Sequence, residues 1–309
     1  YWPPRSSPMR STHLLYLATA LTLLAGACGT EHMTPPDVHG HRGCRALMPE
    51  NTVAGFMKAA ELGCTWMELD VVITGDGQVL VSHEPWMEHR ICRTPQGDSI
   101  TQEQERSFNI FHMTTAEAQA FDCGSTQHPD FPEQENAPAH KPTLLEVVEA
   151  MDDFATENGF GSIGFNIEIK SEPELYGTYQ PAPKAFVATV MAAITDLNIA
   201  DRCILQSFDP AILEAIHEAD PGMRTSFLVE NDDGIAANLK RLSFAPAIYS
   251  PAFEQLDVTA VNTLHEQDIE VAAWTVNEEA DIRRMIALGV DIIITDHPDR
   301  ALRILDEGE

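Results

Sequence analysis

Three acidic side chains stand where strand-like segments would bring them together. Glu68 and Asp70 are separated by one residue in the strand-like segment 66–72, so both point to the same side of a strand. Glu168 has a similar place in the strand-like segment 162–169. Carboxylates a few ångströms apart cannot all stay ionised without a compensating cation, and an all-oxygen ligand set suits a hard ion. We therefore expect these residues to hold one divalent cation, Ca²⁺ or Mg²⁺.

Two histidines and two basic residues occupy similar positions at the ends of strand-like segments. His41 and Arg42 follow the first segment, His83 follows another, and Lys170 comes two residues after Glu168. Imidazole titrates near neutral pH and suits both the removal and the donation of a proton. Arg42 and Lys170, together with a metal ion, can neutralise a phosphate group and its transition state. The set predicts cleavage of a phosphodiester, although the spacing alone fits another metal-dependent barrel enzyme, such as a sugar isomerase, equally well.

The elements that must position these residues alternate along the chain. Strand-like and helix-like segments follow one another for about eight units, which indicates a parallel sheet with helices outside it. This length and rhythm predict a TIM-like (β/α)₈ barrel, in which functional groups lie at the carboxyl ends of the strands. The alternative is a doubly wound open sheet, but the GxGxxG and GxxxxGK[ST] phosphate loops typical of such folds are missing from the sequence. A polar stretch, 84–141, interrupts the rhythm after the early His83 strand, and we interpret it as an insertion that covers the site.

The order of the short motifs closely resembles that of the glycerophosphodiester phosphodiesterase family, over about residues 38–305. The motifs are His41-Arg42-Gly43, Pro49-Glu50-Asn51-Thr52, Glu68-x-Asp70-Val71, Thr74-x-Asp76-Gly77, Val81-x-His83, Glu168-Ile169-Lys170, Gln206-Ser207-Phe208-Asp209, Trp274-Thr275-Val276-Asn277, Leu288-Gly289-Val290-Asp291 and Ile294-Thr295-Asp296-His297-Pro298-Asp299. Each motif is weak by itself, but their order and spacing make chance similarity improbable.

The resemblance implies a TIM-like barrel that hydrolyses glycerophosphodiesters, small-molecule substrates, to glycerol 3-phosphate and an alcohol. It implies that a divalent ion, Ca²⁺ or Mg²⁺, is held by residues matching Glu68, Asp70 and Glu168, with Glu50 as a possible further ligand. The acid and base of the family match His41 and His83, its phosphate-contacting positions match Arg42 and Lys170, and an aromatic residue near the substrate matches Trp274.

One residue departs from the family pattern, since Glu84 stands after His83 where the family usually has Asp. A glutamate accepts the same hydrogen bond from a longer side chain, so we expect activity to persist. Two other functions stay open at this point. One is a lysophospholipase D or a phospholipase C-like enzyme on the same barrel, and the other is a binder of glycerophosphodiesters without catalysis.

The charge balance restricts the partners. The 309 residues include 19 Lys+Arg and 48 Asp+Glu, which give a formal net charge of −29. A nucleic-acid partner is excluded on this ground, because neutralising a phosphate backbone requires clustered basic residues. Attraction to anionic lipid headgroups is disfavoured for the same reason. The hydrophobic fraction of 44% is that of an ordinary globular protein.

The first 27 residues read as a signal peptide. Arg10 precedes an apolar run, 14–25, and small residues precede Cys28, so we predict cleavage before Cys28. Residues 28–37 would then be a linker and 38–306 the barrel domain. Cys28 also fits a lipoprotein site, and a lipid on it would be the protein's only link to a membrane. We expect an exported protein, either periplasmic or lipid-anchored to the cell envelope.

Export permits disulfides. Besides Cys28 the chain has five cysteines, at positions 44, 64, 92, 123 and 203, so at least one of them lacks a partner within the chain. Cys92 and Cys123 lie in the same polar stretch, and we predict a bridge between them.

Overall fold

A computed structural model describes residue 1 and residues 34–308. The predicted signal peptide, its cleavage site and Cys28 lie outside the described residues. The strands are β1 (Asp37–Gly40), β2 (Trp66–Ile73), β3 (Val79–Val81), β4 (Gly164–Ile169), β5 (Cys203–Ser207), β6 (Thr225–Val229), β7 (Ile248–Pro251), β8 (Glu270–Ala273) and β9 (Ile292–Thr295). The helices are α1 (Val53–Glu61), α2 (Gln102–Glu105), α3 (Thr115–Gln119), α4 (Leu144–Asn158), α5 (Pro183–Asp196), α6 (Pro210–Ala219), α7 (Ile235–Leu239), α8 (Val258–His265), α9 (Glu279–Leu288) and α10 (Pro298–Asp306).

Eight of the strands form a closed parallel barrel. Around the barrel, β1 is followed by β2 and then by β4 to β9 in chain order, and the pairing of β9 with β1 completes the circle. β3 adds to the outer part of β2 in antiparallel fashion, so it is not a barrel strand. The closure confirms the predicted (β/α)₈ architecture and excludes an open sheet, which would leave two edges unpaired.

The strands are almost entirely buried, because both faces of a parallel barrel strand are covered, and most of their residues are apolar. The longer helices carry an apolar face against the barrel, and several begin at a residue whose side chain caps the first turn. The hydroxyl of Thr143, for example, accepts a hydrogen bond from the backbone N–H of Glu146 at the start of α4, and the Glu146 carboxylate bonds back to Thr143. Gly159 ends the same helix in a left-handed conformation that favours glycine.

The segment 84–141 lies between β3 and α4. Its composition is polar, but it has a small core of its own, in which Met87, Ile91, Ile110 and Phe121 pack against the outer face of the β2–β3 pair. The predicted disulfide between Cys92 and Cys123 is present in this core. Three further cysteines, Cys44, Cys64 and Cys203, are buried and unbonded.

The end of this segment is attached to the loop that follows β1. The side-chain amide of Gln134 donates hydrogen bonds to the carbonyl oxygens of Arg45 and Met48. The backbone N–H of Glu135 donates to the carbonyl oxygen of Leu47. Within the part of the chain that the structure describes, none of the helices has the length and apolar character needed to cross a membrane.

Candidate active site

The register of the barrel brings the three predicted acidic residues together. Asp70 on β2 is paired with Glu168 on β4, and Glu68 precedes Asp70 by two positions on the same face. One oxygen from each of the three carboxylates lies within 4.8 Å of the others, and all three residues are buried. The structure therefore assembles the carboxylate cluster that the sequence predicts.

Each carboxylate of the cluster is held by a neighbouring donor. Glu68 Oε2 accepts from the backbone N–H of Arg42 (2.9 Å), and Glu68 Oε1 accepts from the side-chain amide of Gln206 (2.8 Å). Asp70 Oδ2 accepts from the amide of Asn51 (2.8 Å), and Glu168 Oε1 lies 2.9 Å from the ammonium group of Lys170. Asn51 and Gln206 belong to the family-like motifs, but we did not predict their roles.

The cluster holds more negative charge than its surroundings balance. Burial raises the pKa of Glu68 well above its usual value, and the nearby Asp70 and Glu168 raise it further. Burial also raises the pKa of Glu168, to about 7, against the opposing effect of Lys170. The pKa of Asp70 is lowered, because Arg42 and Lys170 outweigh its burial. These opposite shifts show carboxylates in competition for too little positive charge.

The cluster fits a hard cation. Asp70 Oδ1 is buried and has no hydrogen-bond partner among the described residues, and such an atom is costly to leave unpaired. The donors on offer are carboxylate oxygens, which Ca²⁺ and Mg²⁺ prefer. Glu68, Asp70 and Glu168 are the residues that would hold the ion.

His41 points its two ring nitrogens at different acidic residues. Nδ1 lies 2.6 Å from Asp296 Oδ1, and Nε2 lies 3.9 Å from Glu68 Oε2. A carboxylate only accepts hydrogen bonds, so Asp296 fixes the proton on Nδ1 and leaves the Nε2 lone pair directed at the cavity. The pKa of His41 is lowered by burial, although Asp296 acts in the opposite direction. Asp296 also accepts hydrogen bonds from Arg45 and Asn277, which hold it in place.

His83 has a similar arrangement with different partners. Its Nδ1 lies 2.8 Å from Glu84 Oε1, and its Nε2 lies 3.1 Å from the ammonium group of Lys170. Glu84 therefore occupies the role expected of the family's aspartate, and the ammonium group donates to Nε2 of a neutral ring. Burial lowers the pKa of His83 well below its usual value, and the charges of Arg42 and Lys170 lower it further.

Glu50, predicted as a possible metal ligand, lies outside the three-carboxylate cluster. Its Oε1 atom accepts from the guanidinium group of Arg42 at 2.8 Å. Burial opposes ionisation of Glu50, but Arg42 and Arg45 lower its pKa to about 2. Arg42 itself has a φ of 51°, a left-handed conformation in which its backbone N–H faces Glu68 while its side chain reaches Glu50. Glu50 thus orients the guanidinium group.

These residues surround a cavity of about 490 Å³ at the carboxyl ends of the strands. The cavity lining includes all the predicted site residues except the buried Asp70 and Glu50. Trp274 lies in the wall opposite the cluster, where its Nε1–H donates to the carbonyl oxygen of Ser250 and its ring meets Phe208 edge to face.

The prediction that the segment 84–141 covers the site is wrong. Of the described residues that line the cavity, only Glu84 and Pro85 belong to this segment, whereas the loop after β4 supplies Ser171, Glu172 and Leu175, among others. The segment lies beside the cavity because its apolar residues are used on the outer face of β2 and β3.

A parallel barrel with two histidines, two basic residues and a carboxylate cluster at the carboxyl ends of its strands has the groups that a phosphoric diester hydrolase needs. The chain belongs to the glycerophosphoryl diester phosphodiesterase family, whose model matches residues 41–300. The glycerophosphodiester phosphodiesterase of Caldanaerobacter subterraneus subsp. tengcongensis is 28% identical over 88% of this chain and 98% of its own. That of Bacillus altitudinis is 29% identical over 87% of this chain and 98% of its own.

Solved structures share the architecture. A protein from Silicibacter pomeroyi DSS-3, assigned as a glycerophosphoryl diester phosphodiesterase, superposes with a TM-score of 0.80 at 31% identity, over 90% of this chain and 95% of that one. An Oleispira antarctica phosphodiesterase, solved in complex with its product sn-glycerol-3-phosphate, superposes with a TM-score of 0.69 at 23% identity, over 88% of this chain and 97% of that one. The second similarity shows the fold. The chain is thus a glycerophosphodiester phosphodiesterase by family.

Proposed function

We propose that the protein hydrolyses glycerophosphodiesters to glycerol 3-phosphate and an alcohol in a reaction that depends on one divalent cation, Ca²⁺ or Mg²⁺. The observation that carries this proposal is the position of His41, whose Nε2 lies 3.9 Å from a carboxylate oxygen of the buried Glu68–Asp70–Glu168 cluster. A proton-transferring group and a cation site at this separation can act on one phosphate group.

The basic residues bind the phosphate. The Arg42 guanidinium group and the Lys170 ammonium group line the same cavity as the cluster, and both are held by acidic partners that fix their positions. Fixed positive groups stabilise the charge that develops on the phosphoryl oxygens without reorganising during the reaction. A bound divalent cation supplies Lewis-acid stabilisation of that charge.

The two histidines transfer protons. Each has its Nδ1 bound to a carboxylate, Asp296 for His41 and Glu84 for His83, so that Nε2 faces the cavity. Among the described residues, this atom is free in His41 and next to the Lys170 ammonium group in His83. One imidazole, neutral with its lone pair on Nε2, removes a proton from the attacking oxygen, and the other, once protonated on Nε2 as well as Nδ1, donates that proton to the leaving alcohol oxygen. The presence of both groups disfavours a binder without catalysis.

The size of the cavity supports a deacylated diester as the substrate. The cavity has a volume of about 490 Å³ and is lined by cationic, acidic and aromatic residues, which suits a small molecule with polar groups. The Oleispira antarctica relative was solved with sn-glycerol-3-phosphate, a small product without acyl chains, which supports the same class of substrate here. A lysophospholipase D or phospholipase C-like activity would need an apolar groove for acyl chains, and the apolar residues that line this cavity are confined to part of its wall.

Purified protein, lacking the signal segment, tests the function directly. We expect release of glycerol 3-phosphate from glycerophosphocholine, loss of this activity on removal of metal with a chelator, and recovery with Ca²⁺ or Mg²⁺. The His41→Ala and His83→Ala variants should lose turnover, whereas His265→Ala, in an exposed His–Asp pair outside the cavity, should not. Activity that survives chelation would refute the cation, and full turnover by His41→Ala would refute the acid–base assignment.

We also propose export, to the periplasm or to a lipid-anchored position on the cell envelope, by cleavage before Cys28. The Cys92–Cys123 disulfide supports an oxidising compartment. Expression of the chain with an upstream start codon, followed by cell fractionation, tests export, and labelling with a palmitate analogue tests lipidation. Label on the wild type but not on Cys28→Ser would support the anchor, and an unlabelled envelope or periplasmic protein would exclude it.

A further inference from the structure

The charged residues of the cavity are unevenly distributed around its rim. The half built by β1 to β4 and the loops after them carries both histidines, the carboxylate cluster and the basic residues Arg42 and Lys170. The half built by β5 to β9 is lined mainly by apolar groups, notably Phe208, Leu228 and Trp274. Among the described residues of this second half, Glu230 is the one ionisable side chain in the lining.

The apolar half has little to offer the hydroxyl groups of an alcohol. The Trp274 indole N–H is already donated to the Ser250 carbonyl oxygen, so the residue presents its ring to the cavity. Gln206 is likewise occupied, since its amide donates to Glu68 and accepts from Asn166. Apart from Thr275 and the Glu230 carboxylate, the wall therefore offers aromatic and aliphatic surface, and a polyol bound against it would replace only part of the hydrogen bonds to water that it loses.

The same wall suits an organic cation. Aromatic rings attract a positive charge through their quadrupole, and quaternary ammonium groups bind aromatic surfaces in this way. A nearby carboxylate adds a direct charge attraction. Glu230 is exposed, follows the end of β6 directly, and supplies that carboxylate. Phe208 marks the boundary between the halves, because the Lys170 ammonium group is 5.9 Å from its ring centroid on one side and Trp274 meets it edge to face at 5.3 Å.

We propose that the β5–β9 half of the cavity binds the alcohol portion of the substrate and selects a cationic, N-methylated amino alcohol of the choline type over an uncharged polyol. The inference rests on the proposed function, since it places the phosphate at Arg42 and Lys170. A zwitterionic diester, with its phosphate at the basic half and its ammonium group beside Glu230, then matches the charge distribution of the cavity.

The test compares two diesters that differ only in the alcohol, glycerophosphocholine and glycerophosphoglycerol. For each, kcat/KM is measured with the metal-loaded wild type and with Glu230→Gln. We expect the wild type to prefer the choline diester, and the variant to lose about threefold to tenfold of that preference, the range for one partly exposed cation contact. The value for glycerophosphoglycerol should stay within about twofold of the wild type, because this substrate carries no cation and the amide oxygen of glutamine still accepts a hydrogen bond from its hydroxyl groups.

Glu174→Gln is the matched control. Glu174 is an exposed carboxylate on the loop after β4 and does not line the cavity. Its replacement by glutamine changes the net charge of the protein by the same amount as Glu230→Gln. Trp274→Leu, which keeps an apolar side chain but removes the ring, should lower the preference in the same direction as Glu230→Gln.

A substrate ratio that is unchanged in Glu230→Gln, or that falls equally in Glu174→Gln, would overturn the inference while leaving the hydrolase activity intact. Release of glycerol 3-phosphate from neither diester by the wild type would instead contradict the proposed function.

Discussion

Nδ1 of His41 and Oδ1 of Asp296 lie 2.6 Å apart although the two residues are 255 positions apart in the chain. This contact sets the tautomer of His41, because the carboxylate accepts the Nδ1 proton. We predict that Asp296→Asn lowers kcat by about a hundredfold or more, as when the orienting acid of a catalytic triad is replaced. Because the residue acts through His41, KM should change little, and the pH profile of kcat should shift.

Asp296 also binds Arg45 and Asn277, so a loss of folding must be distinguished from a loss of orientation. The melting temperature of the variant provides that check. Asp291→Asn, in a His–Asp pair outside the cavity, is the control and should keep full turnover. Unchanged kcat in a folded Asp296→Asn protein would contradict the orienting role.

Gln206 should control the affinity for the divalent ion. Its amide holds Glu68 Oε1 at 2.8 Å, and partners of this kind typically contribute 10–100-fold, about 1.4–2.7 kcal/mol, to metal affinity. We predict a loss of that size for Ca²⁺ binding by Gln206→Met, measured by isothermal titration calorimetry. Asp70→Asn should lose more, and the exposed Glu157→Gln should bind as the wild type does. Equal affinities for all four proteins would disprove the cation site.

The carboxylate group of Glu84 should matter more for activity than the length of its side chain. It holds His83 Nδ1 at 2.8 Å, and Asp can reach the same atom with a small adjustment of the backbone. We predict that Glu84→Gln lowers kcat/KM about tenfold, because a neutral amide stabilises neither the tautomer nor the protonated ring as well. Glu84→Asp should stay within about threefold of the wild type. The prediction fails if the amide variant retains full activity or if the aspartate variant loses as much as the amide one.

The Cys92–Cys123 bridge should stabilise the small core beside β2 and β3. It spans 31 residues, and the entropy lost by closing a chain segment of this length corresponds to about 3–4 kcal/mol of unfolding free energy. We predict that the double Cys→Ala variant loses stability of this order in urea titrations. A reducing agent should cause a similar loss in the wild type and none in the variant. If reduction leaves the wild-type midpoint unchanged, the bridge contributes nothing.

His39 should make the fold sensitive to acid. The residue is completely buried, stacks on Trp66, and has its pKa lowered to about 3, first by burial and then by Arg224. The unfolded chain takes up a proton near pH 6.5, whereas the folded one takes it up near pH 3. The stability that His39 contributes is therefore present above pH 6.5 and declines below it, by about 1.4 kcal/mol per pH unit.

The comparison of His39→Phe with the wild type isolates this effect. Between about pH 6 and pH 4, the unfolding free energy of the variant should fall less steeply, by about 1.4 kcal/mol per unit. The exposed His140→Phe should keep the wild-type slope. Parallel slopes for His39→Phe and the wild type would show that His39 is protonated equally in the folded and unfolded states.

The chain order of strands and helices was predictable because each barrel strand is a short apolar run. The joint direction of Glu68 and Asp70 followed from the two-residue period of a strand. Their proximity to Glu168 depends on the register between β2 and β4, which periodicity does not define. The prediction of one shared site therefore depended on the barrel, whose strands end at the same side, and the resemblance to a family supported it.

The partners of the predicted residues were harder to foresee. Asp296 reaches His41 only because β9 pairs with β1 when the barrel closes. Gln206, at the inner face of β5, belongs to a motif that was recognised, but nothing in its type indicates a contact with Glu68. That the segment 84–141 packs beside the cavity was not foreseen, because its apolar residues, some of them adjacent, show no regular period.

The division of the cavity rim between two stretches of the chain affects how such an enzyme can diverge. The residues proposed to cleave the phosphodiester lie before position 172 in the chain, whereas the wall opposite them comes from β5 to β9. Replacements in the later stretch that keep Gln206 and Asp296, the partners of Glu68 and His41, can alter which alcohol is released while the phosphate-cleaving residues are inherited unchanged. Chimeras that join residues 34–171 of this chain to the later barrel strands of a relative should therefore retain the reaction and acquire the relative's range of substrates.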